Sequence, residues 1–245
     1  MSNAYMYAAP PGPPPGPPPG GQQAYGVIGH APNIHHPHSY NPTLEIPPQF
    51  VIWRKTDGNS NDHQSIGVDM KEDPILTGRV PMFSGRMVLH DGDYKHEGKE
   101  VARAERGSGK GFVVRLASGC VVEVGMVRHG LQKCVFPFTM TVPVPGGGSG
   151  ERKFAWRQIK SGFLGAVVHY ELRREGPDSN SIPLATMAVH GGMGSMTKRK
   201  MGDFEFVNDG LLLGPEFRLV AVVALLRIKQ KLENKAVLKQ FLGGL

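Results

Sequence analysis

The stretch PEFRLVAVVALLRIKQKL, residues 215–232, decides the fold that we predict for this chain. Gly-Pro-Glu at 214–216 is a helix start, with proline at the first helical position and an acid in the first turn. After that start, Arg218 is the only polar side chain before Arg227. A helix that is apolar on every side must be surrounded by protein or by lipid.

Two other interpretations of this stretch fit it less well. Its uninterrupted apolar run, Leu219 to Leu226, is 8 residues long, whereas a membrane span needs about 20. The β-branched residues Val220, Val222 and Val223 would suit a buried strand, but the length and the start favour a helix. At 1.5 Å per residue its apolar part is about 12 to 15 Å long, which fits the inside of a small barrel. We therefore predict a central core helix at about 215–232.

The residues before the helix predict a mainly β domain of short antiparallel strands. Apolar and polar residues alternate there in short segments that turn residues interrupt. Phe154 and Trp156 are two apart and are expected on one face, as are Tyr170 and Leu172. The segments are 51–53, 87–90, 112–116, 120–124, 136–142, 154–156, 166–173, 184–190, 204–207 and 211–213.

The N-terminal part has a different composition, with 13 of the 21 prolines in residues 1–50 and Glu45 as its only charged side chain. The run at 10–20 has nothing to bury, so we predict a disordered, Pro/Gly/His-rich tail at 1–43 and a folded domain at 44–240. That leaves about 200 residues, enough for one core. The tail is a candidate ligand for SH3- or WW-type domains, although it lacks a nearby basic anchor.

Charge and cysteine content restrict the partners and the compartment. The net charge of +7 favours anionic partners such as phospholipid headgroups or nucleic acid. Cys120 and Cys134 make no disulfide framework and are expected to be buried thiols in a reducing compartment. The N-terminus shows no secretory signal. We therefore expect a cytoplasmic protein.

The order of these elements resembles the tubby C-terminal-like superfamily, which includes tubby proteins, phospholipid scramblases and the plant LURP-one-related proteins. The resemblance implies a closed antiparallel β-barrel of about twelve strands around the central helix. It also implies phosphoinositide binding and adaptor-like tethering at membranes. The cysteine run and the C-terminal span of scramblases are absent, so scrambling is not expected. The residues that carry the resemblance are 152–157, 167–174, 184–189, 197–206 and 216–228.

The strongest basic feature is Lys198-Arg199-Lys200, with Arg173 and Arg174 earlier in the chain. If these residues form an anion-binding patch, each one near an anionic leaflet contributes about 1 kcal/mol of binding free energy. The alternative is an exposed hairpin tip that keeps the domain soluble. We take these five residues as the candidate lipid-binding residues.

Other motifs predict no catalytic or metal site. Residues 107–111, GSGKG, lack the spacing of a phosphate loop and are predicted to form a hairpin turn. The histidines at 30–38 lie in the tail without fixed geometry, and Cys120, Cys134 and His129 lack zinc-site spacing. No nucleophile elbow is present.

These observations predict a non-enzymatic, tubby-like domain that binds anionic phospholipid or phosphoinositide headgroups as a peripheral membrane adaptor. We expect a monomer with no cofactor, no metal and no nucleic-acid partner. The main alternative is a protein–protein adaptor in which the tail recruits partners and the barrel is a scaffold. An enzyme whose site follows no known motif is the third hypothesis.

Overall fold

The computed structural model describes residues 44–56, 62–80, 85–93, 98–129, 133–161, 167–176, 182–190 and 198–242. All of them belong to the compact unit Pro37–Leu245. Side chains are described as far as Asn234. The predicted tail at 1–43 lies outside the described residues, and so do the histidines at 30–38.

The described residues form 13 strands and one long helix. The strands are β1 (Gln49–Thr56), β2 (Asp62–Gly67), β3 (Leu76–Val80), β4 (Met87–Asp91), β5 (Glu100–Arg106), β6 (Phe112–Leu116), β7 (Val121–Val124), β8 (Val127–His129), β9 (Lys133–Pro143), β10 (Ser149–Ser161), β11 (Val167–Glu175), β12 (Pro183–Val189) and β13 (Lys198–Phe206). A 3-10 helix (Asn208–Leu211) and α1 (Pro215–Leu242) follow.

The sheet closes into an antiparallel barrel with twelve strand positions, as predicted. Each strand pairs with its sequence neighbours except that β7 and β8 both pair with β9, and β13 pairs with β1. β7 and β8 share one position, since Val124 pairs with Phe138 and Val127 pairs with Val135 in the same register on β9. Closure removes the free edges that an open sheet would expose.

The central helix is confirmed as the core of the barrel. Phe217 and every residue from Leu219 to Gln230 are buried. The indole nitrogen of Trp156 in β10 donates a hydrogen bond to the Ala221 carbonyl oxygen at 3.2 Å, which ties the sheet to the N-terminal half of the helix. The ring of Phe154, on the same face of β10, packs against Phe217 with centroids 4.8 Å apart.

Three sequence predictions need correction. α1 continues ten residues past the predicted end at 232, to Leu242, because residues 233–242 contain no glycine or proline to stop it. Residues 211–213 are not a strand, since the chain forms a 3-10 turn at Asn208–Leu211 instead. Cys120 and Cys134 are half-buried and not fully buried, although burial still raises the pKa of the Cys120 thiol.

Candidate cationic site at the barrel mouth

Connections at one end of the barrel surround the C-terminal part of α1, and we call this end the mouth. Arg227 donates from Nη2 to the Gly85 carbonyl oxygen at 2.7 Å, in the β3–β4 connection. Lys231 Nζ contacts the Lys110 carbonyl oxygen in the β5–β6 connection. That connection contains residues 107–111, which form the predicted hairpin turn.

The N-terminal part of α1 lies at the other end, which we call the base. Arg218 in the first turns of α1 donates from Nη1 to the Ile46 carbonyl oxygen at 2.8 Å, just before β1. Gly214 lies near Pro143 at the β9–β10 hairpin. A Cβ atom added to Gly214 would lie 3.9 Å from the proline ring. The two ends therefore present different parts of the helix.

The five predicted basic residues are divided between these two ends. Arg174 pairs with Phe154, whose ring packs on Phe217 in the N-terminal part of α1, so Arg174 lies towards the base. Lys198–Lys200 begin β13 at the mouth, beside Lys229 of α1. Phe217 and Lys229 are about 18 Å apart along the helix axis, at 1.5 Å per residue. The structure thus does not bring the two groups into one patch.

Two of the predicted residues are held by nearby carboxylates. Arg173 donates from Nε to Glu171 at 2.8 Å. Lys200 lies 2.7 Å from a carboxylate oxygen of Asp203, and His190 lies 2.6 Å from the other oxygen. Burial alone would raise the pKa of Asp203, but hydrogen bonds from Lys200 and His190 outweigh it and lower that pKa below its ordinary value. These ion pairs reduce the net charge that Arg173 and Lys200 offer to a ligand.

Arg199 faces the lumen side of the mouth together with Arg54. Side chains alternate along β1, so Arg54 lies on the same face as the buried Ile52. β13 contains an extra residue, Met201, because Ile52 pairs with Gly202 while the next pair is Trp53 with Lys200. That bulge places Arg199 directly opposite Arg54, and opposite residues of two paired strands share a face. Lys200 is thereby turned to the outer face.

Lys229 is the buried cation of the mouth. Its side chain is only 5% exposed, and its Nζ lies 3.6 Å from the Glu233 carboxylate one helical turn away. Burial lowers the pKa of Lys229, and the nearby charges of Arg199 and Arg54 lower it further, while Glu233 opposes both. Among the described residues, Glu233 is the only acid whose charge acts on Lys229.

Arg227 and Gln230 lie on another side of α1 from Lys229, since they are three residues apart whereas Lys229 is two residues from Arg227. Both are buried, and Arg227 Nη1 donates to Gln230 Oε1. Since a guanidinium only donates, this bond sets the orientation of the amide and directs the Gln230 Nε2 group elsewhere. Nε2 is buried, and no acceptor for it is found in the described part of the chain. We call Arg54, Arg199, Arg227, Lys229 and Gln230 the mouth cluster.

Of this cluster, only Arg199 was among the five basic residues predicted from the sequence. The helical residues were recognisable as polar positions after a long apolar run, and the spacing of three puts Arg227 and Gln230, but not Lys229, on one face. Their burial was not expected, because basic residues after an apolar helix are usually solvent-exposed. Arg54 carried no signal of its own, since its place depends on pairing with a strand 145 residues later.

A single substitution at Lys229 tests how the cluster affects stability. A lysine with a lowered folded-state pKa binds fewer protons when folded than when unfolded, so stability rises with pH between that pKa and the ordinary value of 10.5. Below that pH window Lys229 is charged in the folded protein, and the burial of its charge lowers the free energy of unfolding. We expect Lys229→Met to stabilise the domain by about 1 to 2 kcal/mol at pH 7, and to remove this alkaline rise in stability.

Thermal unfolding between pH 7 and pH 10.5 measures both effects for Lys229→Met. Lys99→Met is the matched control, because Lys99 is exposed and lies in the β4–β5 connection at the base. Its melting temperature should stay close to that of the wild type. A Lys229→Met protein that is less stable than the wild type at pH 7 would contradict the expected cost of this buried charge.

Two classes of site have no support in the described residues. Nowhere in the described ranges do three or more His, Cys, Asp or Glu side chains lie together as metal ligands would. Among the described helices, none has the length and apolar content needed to span a membrane.

Fold and site together define a closed β-barrel with a central helix and a cationic mouth. No family model, no curated protein and no solved structure matches this chain. The resemblance to tubby-like proteins thus remains a hypothesis that rests on the order of the elements.

Proposed function

We propose that this chain is a non-enzymatic binding domain that attaches to membranes by taking anionic phospholipid headgroups at the mouth of its barrel. The observation that supports the proposal is the convergence of Arg54, Arg199 and Lys229. Arg54 and Arg199 lie opposite each other on paired strands, and both lower the pKa of Lys229 on the helix, with Glu233 as the opposing acid. Like charges are brought together at a cost, and an anionic ligand would relieve it.

An anionic lipid surface fits the exposed part of this arrangement. Arg199 is exposed and Arg54 is half-buried, so the pair forms the outer part of the cluster. Basic residues near an anionic leaflet contribute about 1 kcal/mol each. The resemblance to tubby-like proteins supports the same ligand class, and it extends the proposal to phosphoinositides.

Co-sedimentation of the full chain with vesicles tests the proposal. We expect pelleting with phosphatidylcholine vesicles that contain phosphatidylserine or phosphatidylinositol 4,5-bisphosphate, and little pelleting with phosphatidylcholine alone. The double substitution Arg54→Gln and Arg199→Gln should weaken binding by about 10- to 30-fold, since two contributions of about 1 kcal/mol are lost.

The control removes the same charge elsewhere on the barrel. Arg152 and Arg157 are exposed residues of β10, so Arg152→Gln with Arg157→Gln should leave vesicle binding nearly unchanged. Equal pelleting with neutral and anionic vesicles would refute the proposal. So would equal losses in the two double variants, which would point to net charge alone.

A further inference from the structure

We propose that copies of this chain associate head to tail, with the C-terminal extension of α1 from one copy docked on an exposed leucine loop at the base of the next. The leucine loop is the β13–α1 connection, residues 207–214, and the extension is residues 231–242. The inference goes beyond the proposed function and does not depend on it. It rests on two apolar features that lie at opposite ends of the barrel.

The leucine loop exposes large apolar side chains to solvent. Leu212 is 74% exposed, the highest value among the large hydrophobic side chains of the described residues, and Leu211 is 40% exposed. Ile182, at 59% exposed, lies close to them, because Val207 donates its backbone N–H to the Leu184 carbonyl oxygen at 2.9 Å. Apolar side chains that are exposed together, and not singly, mark interaction sites.

The conformation of the leucine loop is fixed by its contacts with β12. Asn208 has a φ of 52°, in the left-handed region, and its side-chain amide donates to the Pro183 carbonyl oxygen at 2.9 Å. Gly210 lies so close to β12 that an added Cβ atom would overlap the Leu184 carbonyl oxygen. The loop therefore presents its two exposed leucines in one arrangement, and such preorganisation lowers the entropic cost of binding.

The extension is the part of α1 that follows its buried run. Burial ends at Gln230, and the helix continues from 231 to 242, about 18 Å at 1.5 Å per residue. The sequence of the extension, KLENKAVLKQFL, contains three lysines and one glutamate. Apolar residues occupy positions 237, 238, 241 and 242, a spacing that places them on one face of a helix. Such a face favours an apolar partner surface, and the lysines favour an acidic one.

The base supplies acids beside the exposed leucines. Asp209 is an exposed residue of the leucine loop, and Glu216 follows in the first turn of α1. Arg174 and Arg218 lie at the same end but are half-buried, and Arg218 donates to the Ile46 carbonyl oxygen. Acids also outnumber bases among the other described residues outside the strands at this end, which include Glu45, Asp69, Lys71, Glu72, Asp73, Asp93 and Lys99.

The position of the two features assigns the occupant to a second copy. The extension leaves the barrel through the mouth, whereas the leucine loop lies at the base, so one copy cannot bring its own two features together. A contact between different surfaces is heterologous and can repeat from copy to copy. It is small beside the roughly 1,200 Å² of a stable interface, so we expect weak association that depends on concentration. This differs from the monomer expected from the sequence.

Analytical ultracentrifugation of the full chain without vesicles tests the inference. The sedimentation coefficient of the wild type should rise with protein concentration. Leu212→Asp alters the leucine loop and Phe241→Asp alters the extension, and each should weaken self-association at least about 10-fold. Val121→Asp is the matched control, because it adds the same charge at another exposed apolar position. It should associate as the wild type does.

A mixture of the two variants gives the sharpest result. Leu212→Asp keeps an intact extension, and Phe241→Asp keeps an intact leucine loop. Each alone should remain monomeric, whereas an equimolar mixture should form a dimer with one copy of each variant and no larger species. Thermal unfolding of each variant shows whether it is folded before the mixture is measured.

Three outcomes would overturn the inference. They are a wild type that stays monomeric up to its highest soluble concentration, self-association that neither variant weakens, and a mixture of the folded variants that remains monomeric. None of them bears on the proposed membrane binding, which is tested with vesicles and with substitutions of Arg54 and Arg199.

Discussion

Val222→Asp is expected to unfold the domain. Val222 lies in the N-terminal half of α1, within the buried run Leu219 to Gln230, and has no exposed surface. A carboxylate there would have neither water nor a partner, and removing an ionised group from water without a partner costs several kcal/mol. With the loss of valine packing, the total approaches the 5 to 15 kcal/mol that separates folded from unfolded proteins.

Circular dichroism, thermal unfolding and soluble yield of Val222→Asp measure this result. Val121→Asp is the matched control, because it makes the same substitution at a position in β7 that is 53% exposed. That variant should stay within about 0.5 kcal/mol of the wild type. If Val222→Asp remained folded and soluble with a wild-type melting temperature, α1 could not be the buried centre of a closed barrel.

Trp156→Ala is expected to destabilise the domain by about 3 to 5 kcal/mol, the usual cost of truncating a buried aromatic side chain. Trp156 is fully buried between β10 and α1, and its ring meets Phe204 edge-on with centroids 6.0 Å apart. Truncation leaves a cavity beside the helix and removes the hydrogen bond to the Ala221 carbonyl.

Denaturant unfolding of Trp156→Ala and Trp156→Phe separates the two contributions. The phenylalanine variant keeps most of the packing but loses the indole donor, so it should lose clearly less stability than the alanine variant. Leu212→Ala is the surface control, because Leu212 is 74% exposed and its truncation should have little effect. Similar values for Trp156→Ala and Leu212→Ala would contradict the role of Trp156 in fixing α1.

The proposed binding of an anion would account for the charged residues on the buried part of the central helix. α1 is apolar on every side from Leu219 to Leu226, yet it ends its buried part with Arg227, Lys229 and Gln230. Apolar residues there would be more favourable for folding alone. Buried charge that lowers stability is typical of functional sites, where the cost is offset by a ligand.

Much of the fold could be predicted from local patterns. Phe154 and Trp156 are two apart in an alternating segment, so they were expected on one face, and both are fully buried. The helix was predicted from an apolar run with a Gly-Pro-Glu start. The helix was predicted to end at about 232, shortly after its apolar residues, whereas it continues to Leu242 because residues 233–242 contain no glycine or proline.

The candidate site could be predicted only in part, because it depends on pairings between distant strands. Arg199 and Lys200 are neighbours in the sequence, yet the bulge at Met201 places Arg199 opposite Arg54 on the lumen side and Lys200 opposite Trp53 on the outer face. A one-residue change in register reverses which face a side chain occupies, and no local pattern reveals it.

By itself, then, the amino-acid sequence determined the elements and the core: alternating strands, and an apolar helix too short to span a membrane. Periodicity and hydrophobicity are local properties, so each segment displays them without its partners. Only the tertiary structure decided that Arg173 and Arg174 lie away from Lys198–Lys200, and that Lys229 is buried beside Arg54 and Arg199. Barrel closure and strand register bring such residues together, and both arise from contacts between distant parts of the chain.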